Sequence, residues 1–279
     1  MQPGQPSLTA LGAARLRAAH QVLDNASILA DPLAVRILGD DIEVSLGHAR
    51  AHASGPRLRL FIAARSRIAE EALTEAVNAG AMQLVVLGAG LDTLAYRTPL
   101  ASRLRIFEVD FPATQARKRD MIAAAGIPVP DTLTYVGVDF ERETLAAALH
   151  AAGFTAAQRS FFSWLGVVPY LTEVTVFSTL GYIAGLPGGG DVVFDYVNPS
   201  ASLAPASRAA NQALAERVAA AGERFESYFD TAPLCARMRA AGFCHVDDIG
   251  PDRISARFFP ESERAAPARG GHVMHASTI

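Results

Sequence analysis

The stretch Leu84 to Arg97, Leu-Val-Val-Leu-Gly-Ala-Gly-Leu-Asp-Thr-Leu-Ala-Tyr-Arg, constrains the fold of this chain more than any other. Four consecutive apolar residues, Leu84 to Leu87, follow an Ala/Gly-rich hinge, the pattern of a central parallel strand covered on both faces. Gly88 and Gly90 permit a tight strand-to-helix turn at which a ligand can approach bare backbone. Helical spacing resumes at Leu91, Leu94 and Ala95, and free N–H groups at such a helix start attract anionic or polar atoms. The stretch reads as a nucleotide-type cofactor turn. The alternative is a tight connection that holds no ligand.

The dinucleotide fingerprint G-x-G-x-x-G needs a third glycine to pack helix against strand, and this chain has Thr93 in that place. Two further strand-like segments end in acids, Leu104 to Asp110 and Leu133 to Phe140, the latter carrying Asp139. A carboxylate about 20 residues after the glycine turn suits a ribose diol, because it can accept from both hydroxyls. Asp139 with Phe140 suits an adenine, offering an acceptor for the exocyclic amine and an apolar side chain for the ring. Glycine, acid and acid at three successive strand ends fit S-adenosyl-L-methionine better than a nicotinamide dinucleotide.

From residue 84 onward strands and helices alternate. Strands are predicted at 84–88, 104–109, 133–138, 160–167 and 191–196, with helices after the glycine turn and over 112–125, 142–152 and 172–185. That rhythm predicts an α/β fold, a mostly parallel sheet with helices on both faces. Two late strands, 243–249 and 272–277, are joined by a Pro/Arg-rich connection without a full crossover helix, which predicts an antiparallel edge on a seven-stranded sheet. Ahead of the sheet, helices are predicted over 11–24 and 33–38, the second capped by Asp31 and Pro32. A polar loop over 47–56 and a long amphipathic helix over 58–78, closed by Gly80, follow. The expected organisation is an N-terminal helical cap over 1–80 and a cofactor-binding domain over 81–279, with an Ala-rich lid at about 198–230.

Arg65 is the informative residue of the long helix. At 100° per residue Phe61, Ile68, Ala69, Ala72 and Leu73 share one face, and Arg65 falls in its middle, whereas Arg67 lies on the far side. An arginine in an apolar stripe needs an anionic partner. An internal salt bridge or snorkelling would satisfy it, as would the carboxylate of a ligand such as the methionine end of the cofactor.

Composition narrows the partners. Among 279 residues, 50% are hydrophobic and 19% charged, the net charge is −3, and Lys118 is the only lysine. Such a balance disfavours nucleic acid. Cys235 and Cys244 sit in no metal-ligand spacing, so no metal is expected, and two scattered thiols suggest a reducing, cytoplasmic setting. No apolar run approaches a membrane span. A monomer or homodimer acting on a small molecule is the expectation.

Leu87-Gly88-Ala89-Gly90-Leu91-Asp92-Thr93 with Tyr96-Arg97, then Phe107-Glu108-Val109-Asp110-Phe111-Pro112 and Lys118-Arg119, resemble the leucine carboxyl methyltransferase family, whose bacterial branch includes polyketide O-methyltransferases. Thr9-Ala10-Leu11-Gly12, Asp31-Pro32-Leu33-Ala34 and Trp164 to Thr172 resemble that branch too, over roughly residues 8–200. The resemblance implies a class I, Rossmann-like methyltransferase fold that takes S-adenosyl-L-methionine and releases S-adenosyl-L-homocysteine. It implies that Arg65 holds the cofactor carboxylate, Gly88 and Gly90 face the methionine and ribose, Asp110 the ribose hydroxyls, and Asp139 with Phe140 the adenine. Many members carry a glutamate where this chain has Leu165.

The leading reading is an O-methyltransferase acting on a carboxylate or hydroxyl of a small, polyketide-like secondary metabolite. Methylation of a protein C-terminal carboxylate is an alternative, as is a cofactor-binding protein with a non-methylating reaction. A carboxylate acceptor needs no base, while a hydroxyl would call for one. Candidate catalytic residues are Tyr170, which could orient an acceptor or wall the pocket, His20, whose place on a helix near Leu16 and Leu23 favours a structural histidine, and Tyr196 with Asn198 and Asp195 after the fifth strand. His48 and His52 read as solvated loop residues.

Overall fold

The computed structural model describes residues 7–39, 42–51, 56–139, 143–220, 222–264 and 271–279. The chain runs α1 (Leu8–Leu23), α2 (Pro32–Arg36), α3 (Ile42–Ala51), α4 (Arg57–Asn78), β1 (Gln83–Leu87), α5 (Leu94–Arg97), β2 (Arg105–Asp110), α6 (Pro112–Ala124), β3 (Leu133–Gly137) and α7 (Leu145–Ala151). It continues through β4 (Ser160–Trp164), α8 (Glu173–Ala184), β5 (Gly190–Val197), α9 (Pro205–Ala220), α10 (Thr231–Ala241), β6 (His245–Ile249), α11 (Pro251–Phe258), α12 (Glu261–Arg264) and β7 (Gly271–Ser277).

The strands form one seven-stranded sheet in the order β3-β2-β1-β4-β5-β7-β6. The first five are parallel, and β7 runs antiparallel between β5 and β6. The α/β class and the antiparallel edge are those read from the sequence. Because successive strand residues face opposite sides, the apolar runs serve two cores at once. Val85, Leu87, Phe107, Phe162 and Phe194 pack with α7, α8 and α10 on one face. Leu84, Val86, Ile106, Phe161 and Val193 pack with α4 and α11 on the other. The long helix α4 therefore covers the sheet, whereas α1 and α2 pack with Leu91 and with Ile122 of α6.

Three local expectations differ from the structure. The polar stretch read as a loop over 47–56 is in part helical, since α3 runs to Ala51. Its Leu46 and Ala49 pack on Ala19 of α1, a contact strong enough to hold a glycine- and histidine-containing turn in helix. The helix after the glycine turn begins only at Leu94, and Asp92 Oδ1 accepts from its first amide at 2.6 Å. The late connection contains α11 and α12, with Ile254 of α11 buried. Among the described residues no helix is long and apolar enough to cross a membrane.

Asp31 joins the helices to the glycine turn. Fully buried, it caps α2 by accepting from the Ala34 amide at 3.0 Å and accepts from Thr93 Oγ1 at 2.6 Å. It also pairs with Arg17 Nε at 2.9 Å and Arg97 Nε at 3.3 Å. Thr93, which breaks the dinucleotide fingerprint, is thus a hydrogen-bond donor to the cap. Glu108 is likewise turned inward, pairing with Lys118 Nζ at 2.7 Å inside the protein.

A second acid anchors α1 to α4. Asp24 takes both Arg59 Nε and Nη2, at 2.6 and 2.7 Å, and His20 Nδ1 lies 2.9 Å away. Burial alone would raise its carboxyl, but the hydrogen bonds from Arg59 and His20 outweigh it and hold it at about 2.

Replacing Asp31 by Ala leaves two buried guanidinium groups without their shared acid, and the expected loss is about 3–5 kcal/mol in urea unfolding. The Asp24 pair has a different signature. Its folded-state carboxyl lies below the ordinary value of 3.8, so its contribution is complete above that value and disappears as the pH falls towards about 2. Partial solvent access reduces the contribution to about 1–2 kcal/mol. Wild type should exceed Asp24→Asn by that margin at neutral pH, with the gap closing below about pH 4.

Candidate functional site

The carboxyl ends of β1 to β5 meet in a cavity of about 950 Å³. In open α/β sheets ligands bind at this edge, where the strand order reverses, and here the reversal falls between β1 and β4. Gly88, Asp110, Asp139, Gly166 and Asp195, one from the end of each parallel strand, line the cavity. Residues of α1, α4, α9 and the loop after α9 complete the wall.

Arg65 and Asp195 form the centre. Arg65 Nη1 donates to Asp195 Oδ2 at 2.7 Å, and Asp195 Oδ1 accepts from the Gly166 amide at 2.5 Å. Gly166 has φ +73°, and a Cβ there would stand 2.8 Å from Arg65 Nη2. Glycine at this place lets the guanidinium lie against the β4 turn. The internal salt bridge expected of Arg65 is present, and the residue also lines the cavity. Its Nε is buried with no hydrogen-bond partner among the described residues. A buried donor without an acceptor costs about 1–3 kcal/mol, so this atom fits a ligand oxygen. Arg67, by contrast, bonds to Glu71 on the outer surface of the helix.

The glycine turn and Asp110 act as one unit. Gly88 and Gly90 take φ of +62° and +47°, and a Cβ on Gly88 would lie 2.3 Å from Val167 Cγ2. The Gly90 amide donates to Asp110 Oδ2, and the Phe111 amide donates to Oδ1 at 2.7 Å. Burial pushes the Asp110 carboxyl upward, opposed by these two amides. The Gly90 amide is thus not free for a ligand. It fixes an acid that keeps further lone pairs for hydroxyl donors.

Tyr170 also lines the cavity, packed on Phe225 with ring centroids 5.3 Å apart. Burial pushes its phenol up to about 12. Leu165 stands in the wall as well. Since Trp164 is in register with Phe194, the residue following each of them, Leu165 and Asp195, comes at the same level of adjacent strands. The carboxylate absent at Leu165 is matched by one a strand away.

Three candidates, His20, Tyr196 and Asn198, lie elsewhere. His20 is fully buried away from the cavity, its Nε2 facing the amides of Ile28 and Leu29 at 3.3 and 3.4 Å. It ties down the turn after α1, which is the structural alternative. Tyr196 points to the opposite side of the sheet. Its hydroxyl bonds Thr231 Oγ1 at 2.7 Å and Asp248 Oδ1 at 2.8 Å, and its ring stacks on His272. Alternation along β5 explains this: Asp195 faces the cavity and its neighbour cannot. Asn198 bonds the Phe229 carbonyl and His272. Phe140 and His52 lie outside the described residues, as does the side chain of His48.

Sequence reasoning missed Glu223, which accepts from Ser7 Oγ at 2.8 Å and Thr9 Oγ1 at 2.7 Å. That clasp joins the loop after α9 to the start of α1 across the cavity. No local pattern announced it, because its partners stand more than 200 positions away.

The profile of the leucine carboxyl methyltransferase family matches residues 10–184. A Bacillus subtilis protein, YktD, provisionally named an S-adenosyl-L-methionine-dependent methyltransferase, is 33% identical over 198 residues, 70% of this chain and 65% of that protein. Just under two thirds of that relative's length is thus spanned. A Mycobacterium avium protein with the same provisional name is 31% identical over 220 residues, 75% of this chain and 74% of its own. In fold, a Thermobifida fusca crystal structure provisionally described as a methyltransferase superposes with a TM-score of 0.58 at 15% identity, over 99% of this chain and 96% of its own. The chain belongs to the leucine carboxyl methyltransferase family of S-adenosyl-L-methionine-dependent proteins.

Proposed function

We propose that this protein transfers a methyl group from S-adenosyl-L-methionine to an oxygen of a small molecule, with a carboxylate as the favoured acceptor and a polyketide-like metabolite as the substrate class. One observation carries the reading. The buried, unpartnered Nε of Arg65 stands beside Asp195 at the edge of the sheet where Asp110 and Asp139 also converge.

When bound, the cofactor supplies an electrophilic methyl group open to in-line displacement. The protein's part is placement. Arg65 holds the carboxylate of the methionine end through Nε while Nη1 keeps Asp195. Asp110, fixed by the Gly90 and Phe111 amides, accepts from the ribose hydroxyls, and Asp139 accepts from the adenine amine. Gly88 keeps the backbone low enough for this approach.

Tyr170 orients the acceptor. A phenol held at about 12 stays protonated at neutral pH, so it donates a hydrogen bond and does not remove a proton. That role suits an acceptor that is already ionised, which is the basis for favouring a carboxylate. The apolar walls of the cavity exclude water from the reaction. The Glu223 clasp supports a small acceptor over a peptide tail, because it closes the cavity's edge with the first turn of α1.

Calorimetry with S-adenosyl-L-homocysteine and mass spectrometry of methylated products test the proposal. Wild type should bind, and Arg65→Ala should bind about tenfold to a hundredfold more weakly, the loss expected of a charge-assisted hydrogen bond. Arg67→Ala should match wild type. No binding by the wild type, or equal losses in the two variants, would overturn the assignment.

A further inference from the structure

A second buried arginine marks the other end of the cavity. Arg57, at the first turn of α4, is 7% exposed and lines the same wall as Arg65. Its Nη1 donates to the Glu263 carbonyl, and its guanidinium carbon stands 5.4 Å from the centre of the Phe259 ring. Neither partner is an anion. Among the described residues no carboxylate lies within ion-pairing distance of it, and the residues just before it, 52–55, include no acid in the sequence.

That distinguishes Arg57 from several charged groups of the wall whose partners are identified. Asp195 has Arg65 and Glu226 has Arg224. Asp110 has two backbone amides and Glu223 two hydroxyls. Arg17 has Asp31. A buried cation without an anion is costly, and an anion from outside the chain relieves that cost. The carbonyl and the aromatic face hold the guanidinium in place, so the group is pre-positioned for a bidentate oxyanion.

The spacing fixes what lies between the two arginines. Eight residues of helix separate them, about 12 Å at 1.5 Å per residue. Leu58, Phe61 and Ile62 of α4 line the cavity, as do Ile254 and Phe259. Phe61 reaches close to Gly271, where a Cβ would stand 3.0 Å from its ring. Phe61, Ile254 and Phe259 pack in one apolar cluster.

We infer that Arg57 is the specificity determinant for the acceptor: it binds an anionic group at the end of the substrate remote from the methylated oxygen, so that the substrate is an elongated, apolar-bodied acid. The inference rests on the reading that the cofactor occupies the Arg65 end. Arg57 then selects substrates by charge while Tyr170, elsewhere in the cavity wall, meets the accepting oxygen.

The test uses 1-octanesulfonate, an apolar chain with a permanent anion that is too weak a nucleophile to serve as an acceptor, and 1-octanol as its uncharged counterpart. Both are titrated by calorimetry into the full-length protein saturated with S-adenosyl-L-homocysteine. The sulfonate should bind the wild type about tenfold to a hundredfold more tightly than the alcohol, with the preference lost in Arg57→Gln and largely kept in Arg57→Lys. Affinity for S-adenosyl-L-homocysteine should be the same in all three proteins. Equal binding of sulfonate and alcohol by the wild type, or an unchanged sulfonate preference in Arg57→Gln, overturns the assignment of Arg57 while the cofactor reading stands. Failure of the wild type to bind S-adenosyl-L-homocysteine overturns the cofactor reading itself. Equal binding of the two probes by the wild type overturns the assignment even if Arg57→Gln does not fold, and a sulfonate preference that Arg57→Lys fails to keep in full supports it.

Discussion

The carboxylate of Asp31 decides how the front of this molecule is built. A fully buried acid is tolerated only when its oxygens are matched, and Asp31 draws its hydrogen-bond donors and ion-pair partners from three separate elements. The Ala34 amide comes from α2, Arg17 from α1, and Thr93 with Arg97 from the segment after the glycine turn. Arg97 is bound in turn to Glu70 of α4, and these acids, against the opposing pull of burial, hold its guanidinium more firmly protonated than usual. The helices are therefore attached to the glycine turn through charge and hydrogen bonds as well as through the apolar contact of Leu11 and Leu33 with Leu91. Moving α1 would uncover a charge. That constraint keeps the first turn of α1 over Gly90, whose added Cβ would stand 3.1 Å from Ala10 Cβ.

The second constraint lies where α4 crosses the sheet. Arg65, set among apolar residues of the helix, has to deliver its charge to an acid, and it meets Asp195 on β5. Gly166 makes the meeting possible, since its missing side chain leaves the volume that the guanidinium fills, and its amide holds Asp195 in return. Arginine, glycine and aspartate come from a helix, a turn and a strand far apart in sequence, yet none of the three keeps its geometry alone. Leu165 fits the same picture. With Asp195 at its level on the neighbouring strand, the cavity has a carboxylate beside Leu165.

Much of this was legible in the residues themselves. Period-two and unbroken apolar runs marked all seven strands, because each strand has to fill a core on one or both faces. The 100° spacing around Arg65 identified a charge on the apolar face, and the breaks at Gly88 and Gly90 located the turn. What escaped depended on tertiary contacts. The turn-like sequence Gly47-His48 is helical because Leu46 and Ala49 find Ala19. His20 and Tyr196 have residue types suited to proton transfer, but which side of an element faces the cavity is settled by packing. The neighbour of an inward Asp195 necessarily points away. Asp195 itself was legible only as a strand-end acid, since its partners Arg65 and Gly166 are 130 and 29 positions off. Glu223 and Arg57 carried no periodic signal at all.

The distribution of satisfied and unsatisfied charge then argues for the direction in which a ligand lies. Around the glycine turn each acid has its donors from the protein. Asp110 has the Gly90 and Phe111 amides, Asp92 the Leu94 amide and the charge of Arg17. Burial and these contacts oppose each other in the Asp110 carboxyl, and burial prevails, leaving it above the ordinary value. Such a carboxyl gains from further donors, which hydroxyl groups supply and anions do not. Two of the arginines of α4, Arg65 and Arg57, have the opposite need, one at a buried Nε and one at a guanidinium that among the described residues meets a carbonyl and a ring. Hydroxyl donors belong over β2 and anions along α4. Under the proposed function Asp110 would take the ribose hydroxyls and Arg65 the amino-acid carboxylate, so that a single molecule would meet both demands.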